Sequence, residues 1–301
     1  MPGASRNLRL SCPTCQDGVP VARTPQMSAT IPTREAATSQ SLERGLAILS
    51  AFTSTRPLLG VSELAREIGL SRSSAHRYIA TLAKLGYLEQ DRTTRRYRLG
   101  LRVFDLGFSA INSMELRQIA VPDLQDLSDA TGHTVNMAVL DGADILYIER
   151  CRSASQGQRE IDLNLHVGSR LPAYCTSMGK VLLAGRSPEE LEALVARVDF
   201  VHRGPNTITA RAALLAELEQ VRERGLAVNN EELAYGLRSI AVPVHGQDGA
   251  VVAAINLAVH RSLVSVEDLV VRLAPALQAT ARGISSKAGF RPDISTPPLE
   301  Q

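Results

Sequence analysis

No stretch of the 301 residues approaches the run of about 18 apolar side chains that a membrane-spanning helix needs. Cysteine is scarce as well: Cys12, Cys15, Cys151 and Cys175 are too few and too scattered for a disulfide scaffold. Cys12-Pro-Thr-Cys15 is a lone C-x-x-C without the two further ligands that a zinc site requires at similar spacing, so neither a metal nor a cofactor is expected. The N-terminus lacks the apolar core of a signal peptide, and the expected location is the cytoplasm. Also missing are a G-x-S-x-G elbow, a phosphate-binding loop and a metal-spaced His pair. Cys175 and Ser177 with His133 or His166 could be combined as nucleophile and base. A buried structural cysteine is far commoner than a reactive one, and no enzyme is expected.

What is present is an asymmetry of charge. Residues 41–100 hold ten Lys/Arg and five Asp/Glu, a net +5, whereas the whole chain is only +2. Residues 101–301 hold 19 Lys/Arg and 24 Asp/Glu, a net −5. A hydrophobic content of 44% and a charged content of 21% are ordinary for a globular protein, and the length suits about two domains. The front piece has the electrostatic footprint of nucleic-acid binding. The rear piece would repel a duplex.

The basic segment reads as a helix-turn-helix followed by a hairpin. Ser41 to Thr53 is a first helix with Leu42, Leu46, Leu49 and the pair Ile48/Phe52 on its apolar face. In the second, Leu64, Ala65 and Ile68 share a face, and Gly69 follows where positive φ is needed. Ser71 then caps a third helix in which Ala75, Tyr78 or Ile79, Leu82 and Leu85 point inward. Its other face carries Arg72, Ser73, Ser74, His76 and Arg77, donors without a carboxylate, which suits a helix lying in a major groove. Tyr87–Gln90 and Arg96–Leu99 read as strands of a wing whose Arg92, Arg95 and Arg96 would meet phosphates. The bland alternative is a small helical domain whose charges face only water.

Around this core the chain divides as follows. Residues 1–40, rich in Pro, Ser, Thr and Arg, are expected to be a disordered extension, with Met27 as the natural start. Residues 101–114 form an amphipathic linker helix; Leu101, Phe104, Leu106 and Phe108 are too apolar for a loose connection and are expected to pack on a second copy of the chain, the alternative being the chain's own DNA domain. In 115–286, a helix interrupted at Pro122 leads to β-rich runs across Asp141-Gly142 and Asp248-Gly249, a strand at Ile161–Val167, a helix capped by Ser187, and a last helix over Val264–Ser285. This is an α+β domain on an antiparallel sheet, its natural task the sensing of a small molecule. Residues 287–301 are expected to be a flexible tail.

The motifs QSLERGLAILSAF, VSELAREIGLSRSSAHRYIATLAKLGYLEQD, RRYRLGLRVFDLG, LPAYCTSMGKVLLA and EELAYGLRSIAVPVHGQDGAVVAAINLAVH resemble, over residues 41–286, the IclR family of bacterial transcription regulators. LPAYCTSMGKVLLA is most similar to the branch regulating the β-ketoadipate pathway of aromatic-acid catabolism. The resemblance implies an N-terminal winged helix-turn-helix, a linker helix and a GAF-like C-terminal effector domain. It further implies homodimers, often paired into tetramers, on double-stranded operator DNA with repeated half-sites, and modulation by a small acid. By motif, the effector positions are Ser177, Met178, Asn229, Leu237, Ser239, Asn256 and Ala258, with Leu165 and Leu171 adding to the apolar wall. The backbone N–H groups at Ser177 and Gly179 would suit a carboxylate at the start of a helix. Arg170 and Arg238 are candidates to neutralise the acid, or are structural ion-pair partners. Two departures bear on the ligand: Asn230 replaces a commonly acidic residue, and Ala258 replaces a hydroxyl. A second domain that only oligomerises is the competing reading.

Overall fold

The structure, a computed structural model, describes residues 39–53, 55–153 and 165–291. The N-terminal extension with Met27, Cys12 and Cys15, most of the strand expected at 161–167, and the last ten residues of the tail lie outside them. The remainder of that strand, 165–167, is turn and irregular backbone. The chain divides into two compact units, one comprising residues up to 83 together with 90–98, the other 84–89 and everything from 99 onward.

The first unit holds α1 (Gln40–Ser50), α2 (Val61–Glu67) and all but the last residue of α3 (Arg72–Lys84); β1 (Leu88–Gln90) and β2 (Tyr97–Leu99), which form the two-stranded wing, each have residues in both units. Local chemistry sets most of these boundaries. Gly69 takes φ +64, a left-handed turn that an L side chain resists. The Ser71 hydroxyl then accepts from the Ser74 N–H (3.2 Å) and caps α3. Ile48, Leu64, Ala75 and Ile79 are buried. Leu59 and Tyr97 exchange two backbone hydrogen bonds and stitch the wing to the segment before α2. Three expected core positions are not core: Leu42, Leu46 and Leu85 are more than half exposed, because one helical stripe cannot bury every apolar residue on its flanks.

The second unit begins with α4 (Arg102–Asn112) and α5 (Glu115–Thr131). No residue of α4 is buried; Leu101, Phe104 and Phe108 stand 81%, 63% and 60% exposed. Helix α5 runs unbroken through Pro122, contrary to expectation. Pro122 sits on the exposed side, where water can take the orphaned carbonyl, while Ala120, Leu124 and Leu127 hold both halves against the core.

Then come β3 (Thr134–Asp141), β4 (Asp144–Cys151), β5 (Arg170–Pro172), α6 (Ser177–Ala184), α7 (Pro188–Val195), α8 (Arg211–Arg224), β6 (Ala227–Asn230), β7 (Leu237–His245) and β8 (Val251–His260). After β8 the helix expected over 264–285 is divided into α9 (Val266–Asp268), a π-turn at Leu269–Leu273, and α10 (Ala274–Lys287). The six strands make one antiparallel sheet in the order β5-β4-β3-β8-β7-β6. Alternation along each strand gives it two apolar faces. Val135, Met137, Ile240, Val242, Ile255 and Leu257 pack beneath α5 and α10. Ala138, Ile145, Tyr147, Ala241 and Ala254 pack beneath α6 and α8. This is the sheet-and-helix architecture of a GAF-like effector domain.

Candidate functional site

Two constellations matter, one in each unit. In the first, Arg72, Ser73, His76 and Arg77 are exposed on α3, whose first turn carries no acidic residue. The serines are partly occupied. Ser71 bonds the Ser74 hydroxyl at 3.0 Å and lies 3.1 Å from that of Ser73, so the hydroxyls interlock at the helix start and leave the arginines and His76 as the outward donors. On the wing, the Asp91 carboxylate accepts from the Thr93 and Thr94 N–H groups and the Thr94 hydroxyl, closing a tight tip. Arg92 and Arg95 project from it, both exposed.

Arg96 has a structural partner. Its guanidinium reaches both oxygens of Glu63 at 2.8 and 2.7 Å, and Glu63 also accepts from the Gly60 N–H at 2.7 Å. The backbone bond from Gly60 is the largest effect holding the Glu63 carboxyl below its ordinary range; burial opposes it, and the Arg96 charge and hydrogen bond add to it. Arg96 therefore positions the wing against α2.

Arg95 adopts φ +60, a left-handed conformation that a side-chain-bearing residue reaches only at a cost. Arg95→Gly is expected to stabilise folding by up to about 1 kcal/mol while removing a cation from the wing tip. Thermal melting together with binding to random-sequence DNA measures both: melting holds or rises while affinity falls. A fall in melting temperature would show that the arginine side chain, not the backbone, decides this turn.

In the second unit the sheet face beneath α6 carries the polar residues. Two ladder rungs run across it. One places Arg150, Asn136, Asn256 and Ala241 side by side, and the next places Thr134, Ala258, Ser239 and Asn229 side by side. Asn136 donates to the Asn256 side-chain oxygen at 2.8 Å, and Arg150 donates to that of Asn136 at 3.0 Å. Above the second rung the Ser177 and Ser239 hydroxyls lie 2.7 Å apart. The backbone of α6 passes so close to the turn that precedes it that a Cβ at Gly179 would sit 2.2 Å from the Ala173 carbonyl oxygen, so only glycine fits there.

The sequence-predicted effector residues thus divide. Ser177, Ser239, Asn256 and Ala258 come together on one face, and Ala258 keeps partial exposure within the sheet. Met178 is fully buried within the apolar cluster, to which Leu165 and Leu171 add partly buried side chains. Leu237 is half-buried at the start of β7. Asn229 is consumed internally: it donates to the Cys175 carbonyl at 2.7 Å and accepts from the Glu232 N–H at 3.1 Å. The Gly179 N–H is likewise taken, by the Thr176 hydroxyl that caps α6. Arg170 pairs with Asp141 on the exposed edge of the sheet, and Arg238 is held by Asn230 and the Val264 carbonyl. Asn136 and Arg150 were not anticipated. Periodicity alone puts Glu149 on the face shared by Ile145 and Tyr147.

The combination of Cys175 with Ser177 and a histidine finds no support. Ser177 bonds Ser239, and His166 is exposed with its Nδ1 3.0 Å from the Val167 carbonyl. Burial pushes the Cys175 thiol up to about 11, so it is protonated at neutral pH. Alkylation of the native chain by iodoacetamide at neutral pH should therefore leave Cys175 unmodified until the domain unfolds; fast labelling in the folded state would contradict this. Among the described residues, no group of three or more His, Cys, Asp or Glu is placed to hold a metal ion, and no helix is long and apolar enough to cross a membrane.

Known proteins match both units of the chain. The IclR helix-turn-helix domain matches residues 41–92, and the bacterial transcriptional regulator IclR C-terminal domain matches residues 108–286. The Pca regulon regulatory protein of Pseudomonas putida is 39% identical over 81% of this chain and 82% of its own. A transcriptional regulator of Rhodococcus sp. RHA1 has a similar solved structure, with TM-score 0.72, 38% identity, and coverage of 83% of this chain and 98% of its own. An IclR homolog of Microbacterium hydrocarbonoxydans, solved in complex with 4-hydroxybenzoate, gives TM-score 0.69 and 27% identity over 82% of this chain and 98% of its own. A DNA-reading unit followed by a sheet-built sensing unit, matched along both by regulators, makes this chain a member of the IclR family: a DNA-binding transcription regulator with a small-molecule effector domain, not an enzyme.

Proposed function

We propose that the effector is a small carboxylic acid, aromatic or dicarboxylic, and that the regulated genes serve aromatic-compound catabolism. The observation that carries this reading is the solved relative with 4-hydroxybenzoate bound, taken together with a row of hydroxyl and amide side chains over the sheet here. Similarity to the Pca regulon protein supports it. The ligand would lie among Ser177, Ser239, Asn256 and Ala258, with Leu165, Leu171, Met178 and Leu237 as apolar wall and Asn229 shaping the floor through its backbone contacts. Hydroxyls and amides would orient ring or chain oxygens, and the apolar side chains would cover the carbon skeleton.

On the DNA side, Arg72, His76 and Arg77 read base edges in the major groove, Ser73 and Ser74 sit beside phosphates, and Arg92 and Arg95 grip the backbone from the wing. Arg96 acts through wing placement. The bare apolar face of α4 is the surface on which a second copy would pack, giving a dimer whose two recognition helices meet successive half-sites. An acid that binds one arrangement of that dimer more tightly shifts operator affinity by its differential free energy. A second reading, in which the C-terminal domain only oligomerises, gains from the same exposed face of α4.

A melting screen of the full chain with protocatechuate, 4-hydroxybenzoate and β-ketoadipate decides between them. It should be joined to fluorescence-polarisation titration of its own upstream DNA with and without each acid. The sensing reading expects a raised melting temperature and altered DNA affinity with at least one acid. No shift with any of the three favours oligomerisation alone, and DNA binding insensitive to salt would remove the regulator's assigned grip on the duplex.

A further inference from the structure

Strand β6 covers only part of its neighbour. It pairs with β7 from Arg238 to Ala241, and β7 then runs on to His245 with β8 alone beside it. The edge left open is closed to a further strand by its own chemistry. Pro243 has no N–H to offer, and the His245 N–H is taken by the Ser285 hydroxyl of α10 at 2.9 Å. An occupant of this edge has to be recognised by side chains, not by a backbone ladder.

Beside the edge lies a cavity of about 500 Å³, a size typical of small-molecule sites. Val242 and Ala281 in its wall belong to the cluster beneath α5 and α10, so it opens on the side of the sheet opposite α6 and the candidate effector face. Helix α10 lines it with Gln278, Arg282, Ser285 and Ser286, spaced so that they share one helical face. The end of that helix bounds it. Gly289 takes φ +92, its N–H bonds the Ser286 carbonyl, and the Phe290 N–H bonds the Ser285 carbonyl. This Schellman turn swings Phe290 back to stack on His245, with ring centroids 5.0 Å apart and planes 25° from parallel.

The lining has one sign of charge. No carboxylate contributes to it, and Arg282 is its one arginine or lysine. Burial holds the His245 imidazole below its ordinary range, which leaves it neutral at pH 7.5. Among the described residues, no hydrogen bond or ion pair engages the Arg282 side chain, which is exposed at the rim. Val242, Pro243, Ala281 and the two stacked rings make the rest of the wall mainly apolar.

We propose that this cavity is a second small-molecule site, built for an amphipathic carboxylate whose anionic head meets Arg282 and whose apolar body lies against Pro243, Val242 and the His245–Phe290 pair. It is separate from the effector face and does not depend on what binds there. A guanidinium offers a carboxylate two parallel donors, and the absence of any acid from the lining removes the competitor for them.

The test is isothermal titration of the full chain at pH 7.5 with 1-naphthoate and with neutral 1-naphthalenemethanol. It compares wild type with Arg282→Gln, with Ser286→Trp, which fills the cavity from an exposed position, and with Arg197→Gln, an exposed arginine past the end of α7 that controls for loss of one positive charge. Wild type should bind the acid more tightly than the alcohol. Arg282→Gln should weaken the acid about fivefold to tenfold and leave the alcohol unchanged. Ser286→Trp should weaken both by roughly tenfold or more, and Arg197→Gln neither. Acid binding that survives both Arg282→Gln and Ser286→Trp lies elsewhere on the chain and overturns the site. Equal loss of acid and alcohol in Arg282→Gln overturns the assignment of the anionic head, and failure of wild type to bind the acid overturns the proposal outright. Should Ser286→Trp melt well below wild type, Arg282→Gln, at an exposed position, decides alone.

Discussion

Lys180→Met is expected to destabilise the C-terminal unit by about 3–5 kcal/mol, the loss typical of breaking a buried ion pair from one side. Lys180 is 1% exposed. Its ammonium donates to Glu232 at 2.7 Å, to Glu217 at 3.0 Å and to the Val228 carbonyl at 2.6 Å. Three hydrogens thus meet three acceptors, and the side chain ties α6 to α8 and to the end of β6. Removing it leaves Glu232 buried without its counter-charge. Burial already pushes the Glu232 carboxyl above its ordinary range despite the ammonium beside it.

Two consequences separate this account from simple loss of packing. The double variant Lys180→Met/Glu232→Gln should recover a substantial share of the loss, because the stranded charge, not the missing methylenes, is the main cost. The loss should also shrink on acidification. With the ammonium gone the folded-state pKa of Glu232 rises further, so the folded chain binds more protons than the unfolded chain between the two pKa values. Stability then falls as pH rises through that window and is recovered below it. Urea denaturation followed by far-UV circular dichroism measures all three. A single-variant loss under about 1 kcal/mol, or no recovery in the double variant, would show that the cluster is effectively solvated.

The second large effect is expected at Arg77. Arg77→Ala should cost about 1–3 kcal/mol, tenfold to over a hundredfold, in binding to the chain's own operator, with a smaller loss on random DNA. Arg77 lies exposed on α3 beyond the hydroxyl-filled cap, in a helix without an acid in its first turn. A guanidinium there can meet a guanine edge with two donors. Arg92, on the wing tip, offers the contrast. Arg92→Ala should weaken operator and random DNA alike and lower the slope of log affinity against log salt by about 1, the signature of one lost phosphate contact. Fluorescence polarisation over a salt series, with operator and scrambled duplexes, reads both. Equal losses on the two duplexes for Arg77→Ala would take α3 out of the groove.

Much of this architecture is local chemistry and was readable residue by residue. The left-handed turn at Gly69, the Ser71 cap, the Ser187–Glu190 capping box and the turns beginning Asp141-Gly142 and Asp248-Gly249 are each settled within about five positions of the chain. The charge split between the two halves is a property of composition. These determined a basic helix-turn-helix with a wing, followed by an acidic α+β domain on an antiparallel sheet.

Tertiary structure decided which of the marked residues are free to act. Asn229 and the Gly179 N–H carry the right chemistry for a ligand, yet both are spent on Cys175, Glu232 and Thr176. Arg96 looks like Arg92 and Arg95 in the sequence, but its partner Glu63 lies 33 positions away. Asn136 and Asn256 meet across 120 positions, and the β-bulge in β4 that turns Arg150 toward them follows from how β4 must pair with β3. Propensity and periodicity act over a few residues, whereas pairing, desolvation and strand register depend on neighbours brought together by the whole fold. The sequence by itself therefore determined the elements and their charge, and the packed sheet decided which side chains face the candidate site.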